Sequence, residues 1–322
     1  MIPIRDTTES KIVPVVNYSL IGINVFCFLI QLTQGRELAQ FVYIYGLVPA
    51  RYSIPEISAY FSTGQQLLSF ISFMFLHGGF WHLLGNMWFL FIFGDNVEDH
   101  LGSVRYLGFY LACGWASGAA HMLLNIHSNM PVIGASGAIA GVMGAYLILH
   151  PMARVLTLIP IFIIPFFIEI PAFFFLGFWF LLQFLSATGG AMTGVAWWAH
   201  VGGFIFGVLF LKLFHRVPAL GISRRARQMA ERKKTHHLQV IRPSGPGDDP
   251  HLYGTLAVTP HEAKIGTKKL VNIPWGFQRR LFQVWVPPES EDGDKLRMAG
   301  LGKITGDGGR GDVFLTVRIR PM

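Results

Sequence analysis

Cysteine is nearly missing from this sequence. The chain of 322 residues carries two, Cys27 and Cys113. Both lie inside apolar runs, which argues against a disulfide framework. Neither belongs to a Cys-x-x-Cys pair, so the usual thiolate zinc sites are excluded as well. Charge is scarce too: Asp, Glu, Lys and Arg make up 14% of the chain, against about a quarter in soluble domains. No cleavable leader is legible, because Asp6 and Glu9 precede Pro14 at the head of the first apolar run.

What the chain has in quantity is apolar surface. It is 52% hydrophobic with 28 phenylalanines, and its mean hydropathy is +0.45. These values exclude an ordinary water-soluble globule and predict a polytopic all-α membrane domain. Apolar runs of bilayer length, about 20 residues, recur near 15–32, 80–97, 106–124, 136–149, 172–185 and 197–214. The fifth is poorly bounded, because Pro160, Pro165 and Pro171 break the stretch leading into it.

Six spans put both chain ends on one side. Positive charge marks the cytoplasmic side of a membrane protein. Lys212 lies in the last turn of the last span, and Arg216, Arg224, Arg225, Arg227, Arg232, Lys233 and Lys234 follow it, against a lone Glu231. The formal charge of +8 is therefore read as an orientation and headgroup signal, not as a nucleic-acid patch. Both termini are expected in the cytoplasm, and no nucleic acid is expected as a partner.

At 241–250, IRPSGPGDDP, the composition turns to linker residues. Beyond it, strands are expected at Leu252–Val258, Lys268–Ile273, Leu281–Val286, Leu296–Met298 and Val313–Ile319, separated by turns such as SEDGD and GDGGRGD. The expected organisation is a six-span membrane domain over 1–215, a basic juxtamembrane segment and linker over 216–250, and a small soluble all-β sandwich over 251–322.

Three polar clusters fall at the outward ends of helices. HGGFWHLLGN supplies His77, His82 and Asn86, GASG supplies Ser136, and AHVGGFIFG supplies His200. Polar side chains inside a bilayer are costly and face a cavity or a partner. Ser136 shares a helix face with Ala140 and Gly144, and His200 shares one with Gly203 and Gly207. Small residues at that spacing let helices approach closely. If the two stripes meet, an imidazole nitrogen reaches the hydroxyl and turns serine into a nucleophile. His82 and Asn86 are then placed to donate to the oxyanion. No acidic third member is evident, so a dyad is expected. Taken singly, each residue has a plainer reading. A serine in an apolar helix bonds back to a carbonyl one turn earlier, a lone histidine can be a structural hydrogen-bonder, and paired histidines can ligate haem.

Taken together, the motifs resemble the rhomboid family of intramembrane serine proteases over roughly 15–214. The matching pieces are His77, His82 and Asn86; Gly134–Gly137; and Ala199, His200, Gly203 and Gly207. LVPAR at 47–51 and VEDHLG at 97–102 look like bacterial members. The resemblance implies a Ser136 nucleophile and a His200 general base. It implies an oxyanion hole of His82, Asn86 and the Ser136 backbone N–H, and a substrate-binding mouth around His77, Gly134 and Ala135. It implies no cofactor and no metal. It also implies membrane-protein substrates with a labile transmembrane segment, cut in a water-filled dip in the lipid bilayer of a bacterial inner (cytoplasmic) membrane. One position departs: the aromatic that some members carry four residues after the serine is Ala140 here, so Trp197 or Phe204 is expected to orient His200. A catalytically silent, rhomboid-like membrane-protein binder or chaperone is the rival reading.

The tail from about 254 to 319 is similar to the C-terminal substrate-binding β-domain of DnaJ-type co-chaperones, through EAKIGTKK, DGDKLRMAGLG and GDVFLTVRI. This resemblance implies a client polypeptide as a partner. The His-Pro-Asp signature of the complete co-chaperones is absent, since Met152 follows His150-Pro151.

Overall fold

The computed structural model describes residues 1–8, 10–161, 164–189, 194–216, 238–241, 249–275, 278–305 and 308–320. The chain folds into two compact units. One gathers Met1–Lys11, Val155–Glu169 and Glu231–Met322; the other gathers Ile12–Arg154 and Ile170–Ala230. The boundaries expected near 215 and 250 follow chain order, whereas the β-rich unit also takes in the N-terminal strand and an internal hairpin. The basic cluster expected at 224–234 lies outside the described residues.

The helical unit opens with α1 (Val15–Thr33) and a 3-10 turn, followed by α2 (Leu38–Tyr45), α3 (Ala50–Ser53), α4 (Pro55–Ser58) and α5 (Thr63–Ser72). Then come α6 (Phe80–Leu101), α7 (Ser103–Leu124), α8 (Ser136–Leu149), α9 (Ala172–Thr188) and α10 (Trp197–Arg216). Every apolar run expected to span the membrane is a helix in the structure, with ends within a few residues of those expected. The count of six crossings is a separate matter. Among the described residues, three helices are long and apolar enough to cross alone, at Val15–Thr33, Ser103–Leu124 and Trp197–Phe214. A fourth crossing is available where Thr63–Phe75 and Phe80–Leu101 meet at a bend of 76°. α8 has only 14 residues, a rise of about 21 Å against a hydrocarbon core of about 30 Å. It is wrapped by protein, with Gly137 through Tyr146 all buried. A helix so enclosed needs no lipid-facing side and need not reach both surfaces.

Close packing of α8 rests on glycine. A methyl group built at Gly203 on α10 would overlap the Gly137 carbonyl, and one at Gly207 would overlap the Gly141 carbonyl. The two backbones therefore touch, as small residues at this spacing allow.

Polar groups at the far end of the helices lock α1, α6 and α7 together. The N-terminus of α1 has no side-chain cap of its own. Fully buried Glu98 of α6 caps it across the structure, accepting from the backbone N–H groups of Val16 (3.1 Å) and Asn17 (2.8 Å). Ser103 donates to the same carboxyl at 2.6 Å. Asn17 donates to the Leu90 carbonyl (3.0 Å) and accepts from the Tyr106 hydroxyl (2.7 Å). These bonds satisfy groups whose exposure in an apolar medium would cost several kcal/mol each, order-of-magnitude.

Among the described residues, the β-rich unit holds three sheets of three strands. β1 (Ile2–Asp6) pairs antiparallel with β2 (Arg154–Ile161), and β3 (Ile164–Pro171) completes that sheet. The three prolines before α9 thus sit in a strand pair, consistent with a residue that cannot continue a helix. Strands at 154–171 are a departure from the sequence expectation. β4 (Leu238–Val240), β6 (Thr267–Trp275) and β7 (Gln278–Val286) form a second sheet in the order β4-β6-β7. β5 (Leu252–Val258), β8 (Lys295–Met298) and β9 (Val313–Ile319) form a third in the order β5-β9-β8. One apolar core joins these last two sheets through Leu256, Val258, Val271, Ile273, Val284, Val286, Leu315 and Val317. All five expected strands are present. The short helix α11 (Pro260–Ile265) interrupts them, opened by a Thr259–Glu262 capping box. Glu262 also holds buried Lys269 at 2.5 Å.

Candidate active site

Ser136 is the first residue of α8. The opening N–H groups of a helix lack intrahelical partners and carry the positive end of its dipole. Gly134 sets up the entry into α8 at φ +126° and donates its N–H to the Phe73 carbonyl at 2.8 Å. A side chain there would be strained by that φ and would also press on the His82 ring at 2.9 Å.

His200 comes from the first turn of α10, beside the Gly203–Gly137 contact. Its Nε2 lies 2.8 Å from Ser136 Oγ. Its Nδ1 lies 2.8 Å from Oε1 of Gln183 on α9. Two tryptophans flank the ring, each with its centroid 6.0 Å away: Trp179 at 34° and Trp197 edge-on at 88°. The expected contact with Trp197 is present. Phe204 packs instead on Trp179, at 6.2 Å. Trp179 thus supplies from α9 the aromatic that Ala140 does not.

His82 and Asn86 project from one face of α6, one turn apart. The Gly78 N–H points at His82 Nδ1 at 3.2 Å. Nδ1 therefore accepts, and the neutral ring carries its proton on Nε2. Asn86 Nδ2 is buried and has no hydrogen-bond partner among the described residues. Such a donor waits for an acceptor.

Ser136, His200, His82, Asn86 and Gln183 line one cavity of about 240 Å³ together with Trp179, Trp81 and Met143. The four principal residues expected from the sequence are therefore brought together. The three expected at the substrate mouth are not on the cavity wall. His77 is buried and stands behind His82, ring to ring at 5.2 Å, with its backbone paired to the Gln31 amide. Ala135 is fully buried as the residue before α8, and Gly134 lies against His82. Gln183 and Trp179 are site residues that the sequence reading misses. The available signal is a lone amide in FWFLLQFL, and intramembrane polar residues are rare enough to imply a partner. Among the described residues, no group of three or more His, Cys, Asp or Glu side chains is placed to hold a metal ion.

Residues 64–217 match a family model described as Rhomboid domain. The chain is 30% identical over 202 residues to Rhomboid protein 1, mitochondrial, of Saccharomyces cerevisiae, covering 60% of this chain and 51% of that one. It is 36% identical over 77 residues to RHOMBOID-like protein 5 of Arabidopsis thaliana, covering 24% and 25%. It is 26% identical over 149 residues to Presenilin-associated rhomboid-like protein, mitochondrial, of Mus musculus, covering 44% and 37%. The matches thus span about half the length of these relatives or less. The mitochondrial names among them run against the bacterial inner membrane expected from the sequence.

Proposed function

Through residues 64–217 the chain belongs to the rhomboid family, and on that premise we propose that it is an intramembrane serine endopeptidase acting through Ser136 and His200. The observation that carries the reading is the 2.8 Å contact between Ser136 Oγ and His200 Nε2, in a cavity that also holds the His82 and Asn86 side chains.

The chemistry follows from the groups present. Ser136 Oγ attacks the scissile carbonyl carbon while its proton passes to His200 Nε2. The carbonyl π electrons move to oxygen. The Ser136 backbone N–H, His82 Nε2–H and Asn86 Nδ2 are the donors for that oxyanion, and the positive end of α8 favours the charge. Collapse of the intermediate breaks the C–N bond, and the imidazolium returns its proton to the leaving amine. A water then repeats the sequence on the acyl-enzyme, giving the carboxylate and restoring serine.

The C-terminal β unit is proposed to bind polypeptide. The support is the DnaJ-like segment at about 254–319 and an outward face of β7 that leaves Leu281 and Trp285 each 54% exposed. Deleting 247–322 is then expected to change which membrane proteins are cut.

The test of the protease reading is a fluorophosphonate probe on the full chain in detergent, with a single-span reporter protein in liposomes. The wild type is expected to take up probe and cut the reporter, while Ser136→Ala and His200→Ala do neither. Probe uptake that survives in Ser136→Ala, or a wild type that cuts nothing, would favour the catalytically silent binder.

A further inference from the structure

The buried amide on α9 sits where a serine hydrolase places its acid. Gln183 is 8% exposed, and both ends of its amide are engaged. Nε2 donates to the Trp179 backbone carbonyl at 3.3 Å, a group that can only accept. That bond turns Oε1 toward His200 Nδ1, at 2.8 Å. Oε1 can only accept as well, so the proton of the neutral imidazole must lie on Nδ1. The lone pair then lies on Nε2, which faces Ser136 Oγ at 2.8 Å. One backbone carbonyl of α9 thus decides, through two hydrogen bonds, which ring nitrogen of a residue on α10 is basic.

We propose that Gln183 is the positioning residue of this site, holding His200 in the Nδ1–H tautomer and, with Trp179, in the rotamer that serves Ser136. The inference rests on the protease reading and extends it from two residues to three. A neutral amide sets the tautomer and accepts from the imidazolium, but it brings no compensating charge. In this respect it differs from the carboxylate of a Ser-His-Asp triad. Because Gln183 belongs to α9 and His200 to α10, the base is set only while these helices stay docked.

The test uses the full chain in detergent with ¹⁵N-labelled histidine, read alongside the rate of fluorophosphonate labelling from acid to alkaline pH. The His200 resonances are identified by their loss in His200→Gln. The wild type and Ser136→Ala are both expected to hold the Nδ1–H tautomer. Gln183→Met, close in length, is expected to mix the tautomers and slow labelling about ten- to a hundredfold, the worth of a hydrogen bond to a charged group. Its unfolding midpoint should change little. Gln183→Glu is expected to keep the tautomer and label faster than Gln183→Met. It should also move the acid limb of the profile to higher pH, since a carboxylate favours imidazolium. The opposite tautomer in the wild type, wild-type labelling by Gln183→Met, or equal slowing by both variants with an unmoved limb would each overturn the assignment. A wild type that holds the tautomer yet takes up no probe supports the assignment of Gln183 while removing the protease reading.

Discussion

Gly203 on α10 lies against the Gly137 carbonyl on α8 with no room for a methyl group between them. This backbone contact lies one turn beyond His200 and one residue after Ser136. It therefore sets how far apart hydroxyl and imidazole stand. Gly203→Val is expected to destabilise the helical unit by about 1–3 kcal/mol, the usual cost of overpacking. Labelling of Ser136 should fall more than tenfold, by the factor that a barrier increase of about 1.4 kcal/mol imposes. Gly22 on α1 has nothing within 4 Å of a built Cβ, so Gly22→Val is the control and should label normally. Probe uptake and thermal unfolding of the two variants check the point.

Asn86 Nδ2 is a buried donor without a partner among the described residues. If it serves the oxyanion, Asn86→Ala should lower kcat about 10²–10³-fold, as removal of one such donor does elsewhere. KM should move little, because the interaction forms only in the transition state. Stability should hold or rise, since an unsatisfied buried amide is removed. Kinetics on a transmembrane reporter, with a melting curve beside them, would expose a merely structural asparagine by a large loss of stability.

Two carboxyls outside the membrane-spanning helices predict how the β unit responds to acid. The Gly300 backbone N–H, at 2.8 Å, and then Arg297, at 2.7 Å, hold the Asp312 carboxyl below the usual carboxylate range. The Ile319 backbone N–H, at 2.7 Å, and then Arg318, at 3.0 Å, do the same for Asp292. A group depressed in the folded state contributes stability above its unfolded-state value and loses it as pH falls through the folded one. Protection of β9 amides from hydrogen exchange should therefore decline as pH is lowered below about 4. In Asp312→Asn the protection should start lower at neutral pH and decline less on acidification. An equal decline in wild type and variant would show that Asp312 plays no part.

The sequence alone determined the six apolar helices and the five strands of the C-terminal sandwich, and it singled out the four polar side chains that the fold gathers in one cavity. Those features are local. Apolar run length, Pro and Gly punctuation and two-residue alternation act within a few residues of the chain. α8 was bounded within its own stretch, by the glycine-rich approach at one end and His150-Pro151 at the other. Tertiary structure alone decided the rest, because it depends on which distant groups come within hydrogen-bond reach. Gln183 is one amide in an aromatic run until α9 docks and its Oε1 meets His200, 17 residues on. Glu98 is a charge at a helix end until the backbone of α1 arrives to be capped. His77 carries the same motif as His82, yet packing put one on the cavity wall and the other behind it. The strands at 154–171 took an edge partner, β1, from the far N-terminus, a pairing that no local pattern encodes.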